Sequence, residues 1–306
     1  MKRILIAFDG SPGAEVAVQD LIRAGLPNRA EAKVLTIADV WMPPAPKGDV
    51  DIFSTHAKVA DAYEKATELL REAKKISIQG SQFVHQLFPE WTITNFTAAD
   101  SPAWGIVAEA RKWRADLIVI GSHGRTTLER FFLGSVSFKV AAEAPCSVRV
   151  VRPRADSATL PLHLMVCLDG SDESIHAVDE ISQRQWPAGT KVEFVSVIDP
   201  KLRSQLLARN RPFGDPVAFE KFEDAIQLAL ETAQRKLSPQ ELTAQCHILE
   251  GDPKQVLLHQ AAHWKVDCIF LGARGLERGD RLYLGTLASA VCTRAHCTVE
   301  IIRQPK

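Results

Sequence analysis

The chain has no excess of charge of either sign. Its 306 residues carry 37 Lys and Arg against 37 Asp and Glu. Attachment to nucleic acid by counterion release needs a basic excess, so no nucleic-acid partner is expected. Long apolar runs are missing too. Nothing approaches the ~18 residues that would cross a bilayer, so no membrane span is expected. The opening MKRILIAFDG has too short an apolar part for a signal peptide and meets a charge at Asp9. It reads better as a first strand. The six cysteines include no CxxC pair. A disulfide framework is not expected in so long a chain, and the thiols fit a reducing cytoplasm. The common phosphate motifs GxxxxGK[ST] and GxGxxG are also absent.

What is present is ordinary globular composition, 46% apolar and 24% charged, at a length that suggests two domains. The chain is also a repeat. ADLIVIGSHGRTTLERFFLGSV has a partner in VDCIFLGARGLERGDRLYLGTL. Gly121, Gly124 and Gly134 recur as Gly272, Gly275 and Gly285, each 151 residues on, and Ser135 recurs as Thr286. Trp113, Asp116 and Cys146 meet Trp264, Asp267 and Cys297 at the same shift. Nearer the start, ILIAFDGSPGAEVAV echoes LMVCLDGSDESIHAV, with Asp9 against Asp169 at a shift of 160. The first repeat therefore holds the extra residues, around the proline-rich WMPPAPKGDVDIF. RPRADSATLPLH has linker composition. The expected domains are 1–154 and 161–306, with the boundary at Ala155 to Leu160.

Each repeat alternates short apolar runs with helical periodicity. RILIAF, AKVLTIADV, a run within QFVHQLFPEWTITNFTA, DLIVIG and CSVRVVR read as strands. PGAEVAVQDLIRAG, THAKVADAYEKATELLREAKKIS, SPAWGIVAEARKWRA and SVSFKVAAEA read as helices, with Ser101 an N-cap and Pro102 at the first position. This alternation implies a parallel sheet covered on both faces. In such a sheet, ligands sit beyond the carboxyl ends of strands, where strand order reverses.

GSHGRTTLERFFLGS, residues 121–135, lies where the fourth strand hands over to a helix. Glycine there permits positive φ or close approach to something else. A helix starting near Gly134 offers free N–H groups and a positive dipole end, which suit a phosphate. Ser135 adds a hydroxyl, and Asp9 can accept bonds from a ribose or base edge. The same glycines could equally serve turn geometry and tight helix–sheet packing alone. His123 could touch phosphate or be a plain loop residue. Arg130 and Arg281 could meet phosphate charge or pair with Glu129 and Asp280.

These residues resemble the universal stress protein family, in tandem and over nearly the whole chain. The family carries G-x2-G-x9-G-[ST] and an Asp at the end of the first strand. The resemblance implies two flavodoxin-like or Rossmann-like α/β domains, each a five-stranded parallel sheet of order 3-2-1-4-5 with helices on both faces. It implies ATP as ligand, with Mg²⁺ held largely by the nucleotide's own phosphates. The implied first site is Asp9, Ile37, Gly121, Gly124, Gly134 and Ser135, and the second is Asp169, Val197, Gly272, Gly275, Gly285 and Thr286. The second loop departs in detail, with Arg274 for His123, Leu276 for Arg125 and Gly279 for Leu128. The implied role is a cytoplasmic, adenine-nucleotide-dependent stress regulator with unknown protein partners. No catalytic residue or metal site is assigned. A nucleotide-independent scaffold and a slow ATP hydrolase remain the alternatives. Single-domain relatives commonly dimerise through the last strand, so CSVRVVR and CTVEIIR are expected to pair as an internal pseudo-dimer. A dimer of whole chains is left open.

Other features are set aside. HQAAH, His259 to His263, has metal-pair spacing but Gln260 where a zincin needs Glu. Ser11 and Ser171 read as N-caps without a partnered base. Trp113 and Trp264 read as core. Trp41 to Thr55 and Lys201 to Val217 read as loops, either lids or idle surface.

Overall fold

The computed structural model describes residues 1–40, 57–124, 133–153, 161–201, 204, 216–237, 242–275 and 284–304. The proposed linker 155–160, the loop 41–55, most of 201–217, and both Arg130 and Arg281 lie outside these residues.

The first repeat runs β1 (Lys2–Ala7), α1 (Pro12–Asp20), β2 (Ala30–Ala38), α2 (Ala57–Leu87), β3 (Thr92–Ala99), α3 (Pro102–Trp113), β4 (Leu117–Gly121), α4 (Ser135–Glu143) and β5 (Ser147–Val151). The second runs β6 (His163–Cys167), α5 (Asp172–Ser182), β7 (Lys191–Ile198), α6 (Pro216–Leu237), β8 (Thr243–Glu250), α7 (Pro253–His263), β9 (Cys268–Gly272), α8 (Thr286–Arg294) and β10 (Thr298–Ile302). Helix α2 runs ten residues past the Ser77 expected from periodicity. Gly80 lets it pass close over Phe8, whose ring would lie 2.6 Å from a Cβ at that position. Ser101 precedes α3 as expected, but its side chain makes no cap bond.

Each half has the order 3-2-1-4-5. The halves are not two sheets, however, but one of ten strands, β3-β2-β1-β4-β5-β10-β9-β6-β7-β8. Neighbours within each half are parallel, and β5 and β10 meet antiparallel at the centre. Strand order reverses at β1, between β2 and β4, and at β6, between β7 and β9. Such a reversal is where an open sheet can offer a crevice.

The central pairing follows the period of two. Val148 and Val150 of β5, with Val299 and Ile301 of β10, enter one apolar core shared by both halves. That core is flanked by α3, α4, α7 and α8. Trp113 and Trp264 pack against it half-buried rather than inside it. The alternate residues, Arg149 and Glu300, face the other way and lie directly opposite one another. Both are fully buried. Arg149 donates to Glu300 at 2.8 Å and to Asp20 at 2.7 Å, and Arg184 donates to the same Glu300 carboxylate. Outside this cluster, Arg152 donates to the Cys292 and Thr293 carbonyls at the end of α8. Arg303 answers at the Ala141 and Ala142 carbonyls at the end of α4. Each half thus caps a helix C-terminus of the other with a cation.

Burial alone would raise the Glu300 carboxyl, but Arg184 and Arg149 outweigh it and hold the group down at about 2. A depressed carboxyl contributes stability above its unfolded value of 4.5, and loses it as pH falls toward about 2. The urea midpoint of the chain should therefore drop steeply between about pH 4.5 and 2. Glu300→Gln should flatten that slope, and an unchanged slope would remove Glu300 as its source.

Candidate functional site

At the first reversal, β1 ends and the chain turns through Asp9 into α1. Asp9 Oδ1 accepts from Ser11 N at 3.0 Å, and Ser11 Oγ accepts from Ala14 N at 3.2 Å, which makes Ser11 the helix N-cap. Across the crevice, β4 ends at Gly121. A Cβ there would sit 2.6 Å from the Gly13 carbonyl oxygen. Gly121 is thus required by close approach of backbone to backbone, and it is not among the glycines with positive φ. Gly124 is different, because its missing Cβ would face only Asp9 Oδ2, at 3.1 Å.

The loop re-enters at Gly134, whose N–H donates to the Ser122 carbonyl at 2.8 Å. Gly134 is the N-cap residue of α4 and Ser135 its first residue, exposed at the mouth. Ser137 Oγ, which the sequence reading missed, donates to the Gly121 carbonyl at 2.7 Å and ties the helix to the strand end.

These residues enclose a cavity of about 430 Å³, within the range of ligand pockets. Its lining is mixed. Leu35, Ile37, Ile76 and Ile106 contribute apolar side chains, and Asp9, Gly121, Gly124, Gly134 and Ser135 line it as well. All six residues expected at the first site therefore line one cavity. His123 lines it as well. Its Nδ1 lies 2.9 Å from Ser122 Oγ, and its Nε2 is buried with no partner among the described residues. Burial first, and then the nearby Arg152 charge, lowers the proton affinity of His123, which keeps the ring neutral near pH 7.

The second crevice keeps the backbone plan. Asp169 Oδ1 accepts from Ser171 N at 3.0 Å, Gly285 N donates to the Ala273 carbonyl at 2.8 Å, and Thr286 opens α8. A Cβ on Gly275 would lie 2.5 Å from Asp169 Oδ2. Val197 packs half-buried against the shared core. The difference is Glu173, which stands where the first repeat has Gly13. Glu173 Oε2 accepts from the Arg274 backbone N–H at 2.7 Å, and Oε1 pairs with the Arg274 guanidinium. The sequence reading passed over Glu173. The signal was there in the alignment of SPGA with SDES, outside the glycine motif.

Among the described residues, no group of three or more His, Cys, Asp or Glu could hold a metal ion. His259 and His263 stack with ring centroids 6.2 Å apart and are exposed. The six cysteines are unpaired, and burial pushes the Cys146 and Cys292 thiols up to about 12, which makes them poor nucleophiles. No helix among the described residues is long and apolar enough to cross a membrane.

Two doubly wound halves, each with a glycine-lined crevice at its reversal point, define a tandem α/β protein. The family model "Universal stress protein family" matches residues 1–152 and again 162–303, so the chain belongs to that family through two tandem domains. A universal stress protein of Methanocaldococcus jannaschii is 32% identical over 153 residues, which are 49% of this chain and 82% of that one. One from Mycolicibacterium smegmatis is 30% identical over 151 residues, 49% of this chain and 46% of that one. The crystal structure of a universal stress protein from Archaeoglobus fulgidus superposes with a TM-score of 0.64 at 16% identity, covering 98% of each chain, and supports the fold.

Proposed function

We propose that the chain binds an adenine nucleotide, ATP, in its first-domain crevice and acts in the stress response as a nucleotide-dependent regulator, without turnover. The observation that carries this reading is that apolar side chains, the Asp9 carboxylate, the three motif glycines and the first residue of α4 all line one cavity of about 430 Å³. A purine suits the apolar side chains. A polyphosphate suits the start of α4, where helix N–H groups and the dipole favour an anion. Arg152 adds a buried positive charge behind the loop. Its Nε and Nη1 have no partner among the described residues, and its charge acts on His123. Ile37 and Asp9 would face the nucleoside, and Gly121, Gly124, Gly134 and Ser135 the phosphates. Mg²⁺ would ride on the phosphates. The domain limits 1–154 and 161–306 and a cytoplasmic location go with this reading.

Gly124→Val is the sharpest test, because the missing Cβ at 124 faces one flexible carboxylate rather than backbone. Calorimetric titration should show ATP affinity reduced at least tenfold while the unfolding temperature moves little. Unchanged affinity in the folded variant would remove the glycine loop from the binding site.

A further inference from the structure

The two crevices share a backbone plan, and one pair of differing positions is in contact across each. The first has Gly13 and His123, and the second has Glu173 and Arg274 at the equivalent places. In the first, no side chain can fit at position 13. A Cβ on Gly13 would lie 2.4 Å from the His123 carbonyl oxygen. The loop backbone there faces only a hydrogen, and the ring of His123 is uncharged. In the second, the loop sits differently, and Glu173 reaches it from the first turn of α5 with a side chain only 10% exposed. One carboxylate oxygen takes the Arg274 N–H at 2.7 Å, and the other takes the Arg274 guanidinium. These are charge-assisted bonds to a backbone donor and to a cation, the kinds of partner that a phosphate group would use.

The charges behind the loops follow the same division. Arg152, buried, and Arg303, half-buried, are equivalent arginines at the ends of β5 and β10. Arg303 has the Glu173 carboxylate as a nearby opposite charge. For Arg152 the influences after burial are the Cys292 and Cys297 thiols, and no carboxylate among the described residues stands with them. At position 13 the first crevice has no acid to set against Arg152, whereas Glu173 supplies one beside Arg303 in the second.

We propose that Glu173 is an internal anion that takes up the backbone donor and the cation of the second crevice's loop, so that the native chain takes one nucleotide, in its first domain, and none in its second. This rests on the nucleotide reading of the first crevice. The full glycine motif of the second domain is then a retained scaffold whose donor is already engaged. Gly13 and Glu173 decide which of two nearly equivalent loops is open.

Two measurements on the full chain test this separately from the nucleotide reading. Equilibrium dialysis with labelled ATP and Mg²⁺ should give one nucleotide per chain for the native protein and two for Glu173→Gly. Glu173→Gln, which keeps the side-chain length, should recover part of the second site. Amide hydrogen exchange needs no nucleotide. The Arg274 N–H should exchange at least tenfold more slowly in the native chain than in Glu173→Gly, with domain-one amides unchanged as the check on folding. Two nucleotides of equal affinity on the native chain would overturn the proposal. So would equal Arg274 exchange rates, or an exchange-released variant that still binds no more than the native chain. If neither chain binds nucleotide while Arg274 is protected, the ATP reading of the first crevice falls, and the one-nucleotide proposal falls with it.

Discussion

Replacing Glu300 with leucine is expected to destabilise the folded chain by about 3–5 kcal/mol, the range for removing one member of a buried ionic cluster. Glu300 and Arg149 are fully buried, and Arg184 is nearly so. Removing the carboxylate leaves Arg149 with Asp20 and the Cys268 sulfur, and leaves Arg184 with the Ala24 carbonyl and a 3.6 Å contact to Glu180. Two guanidinium groups would then share too few acceptors in a dry interface. The loss falls on the contact between the halves, so urea unfolding followed at Trp186 should move to lower denaturant and split from the global transition. A variant that unfolds like the native chain would show that the cluster is solvated. Charge reversal, Glu300→Arg, should go further and separate the halves, visible as an increased radius in small-angle scattering.

The same cluster explains why this pairing is internal. Arg149 and Glu300 are equivalent residues of the two repeats, 151 apart, and they lie opposite each other in the β5–β10 ladder. Their neighbours pair symmetrically about them, Val148 with Ile301 and Val150 with Val299. The pseudo-twofold axis therefore passes through this pair. Had β5 met a second β5, Arg149 would face Arg149. Had β10 met a second β10, Glu300 would face Glu300. Either arrangement buries like charges, whereas the observed one buries opposite charges. The apolar face of the ladder favours strand pairing in general, and the axial residue selects which strands pair.

Much of this was legible in the sequence because the repeat doubles every signal. The position of the glycine motif after an apolar run pointed to the first reversal, while the strand order and the set of six residues, Ile37 above all, came with the family resemblance that the motif carries. The R-for-E exchange in CSVRVVR and CTVEIIR was also in plain view, but its meaning depends on register, which only the paired strands supply. Glu173 was harder to see. It lies outside the glycine motif, in a helix first turn where an acid is unremarkable on dipole grounds. Its role appears only once the loop after β9 is placed against α5. The extension of α2 past Ser77 went unread for a similar reason. A mid-helix Gly80 weakens a helical reading on propensity, while the packing of Phe8 is what makes glycine fit there.

Gly121→Val should unfold the first domain more readily rather than merely empty its crevice, and this separates it from Gly124→Val. Residue 121 ends β4, paired with Val151 of β5, while the start of α1 crosses over it. A Cβ at 121 would lie 2.6 Å from the Gly13 oxygen and 2.8 Å from its carbonyl carbon, and both are backbone atoms. Neither can swing aside as a side chain does. Valine adds two methyl groups to that overlap, so either β4 or the first turn of α1 must move. Overpacking of this kind costs about 3 kcal/mol or more, which for a domain of this size is roughly a 10 °C fall in melting temperature. Ser137 Oγ would also lose its fixed acceptor, the Gly121 carbonyl. ATP binding should vanish with the geometry. Differential scanning calorimetry of the two variants decides the matter. Equal melting temperatures would mean that the approach of Gly121 to Gly13 is not a tight backbone contact, and that both glycines serve the crevice alone.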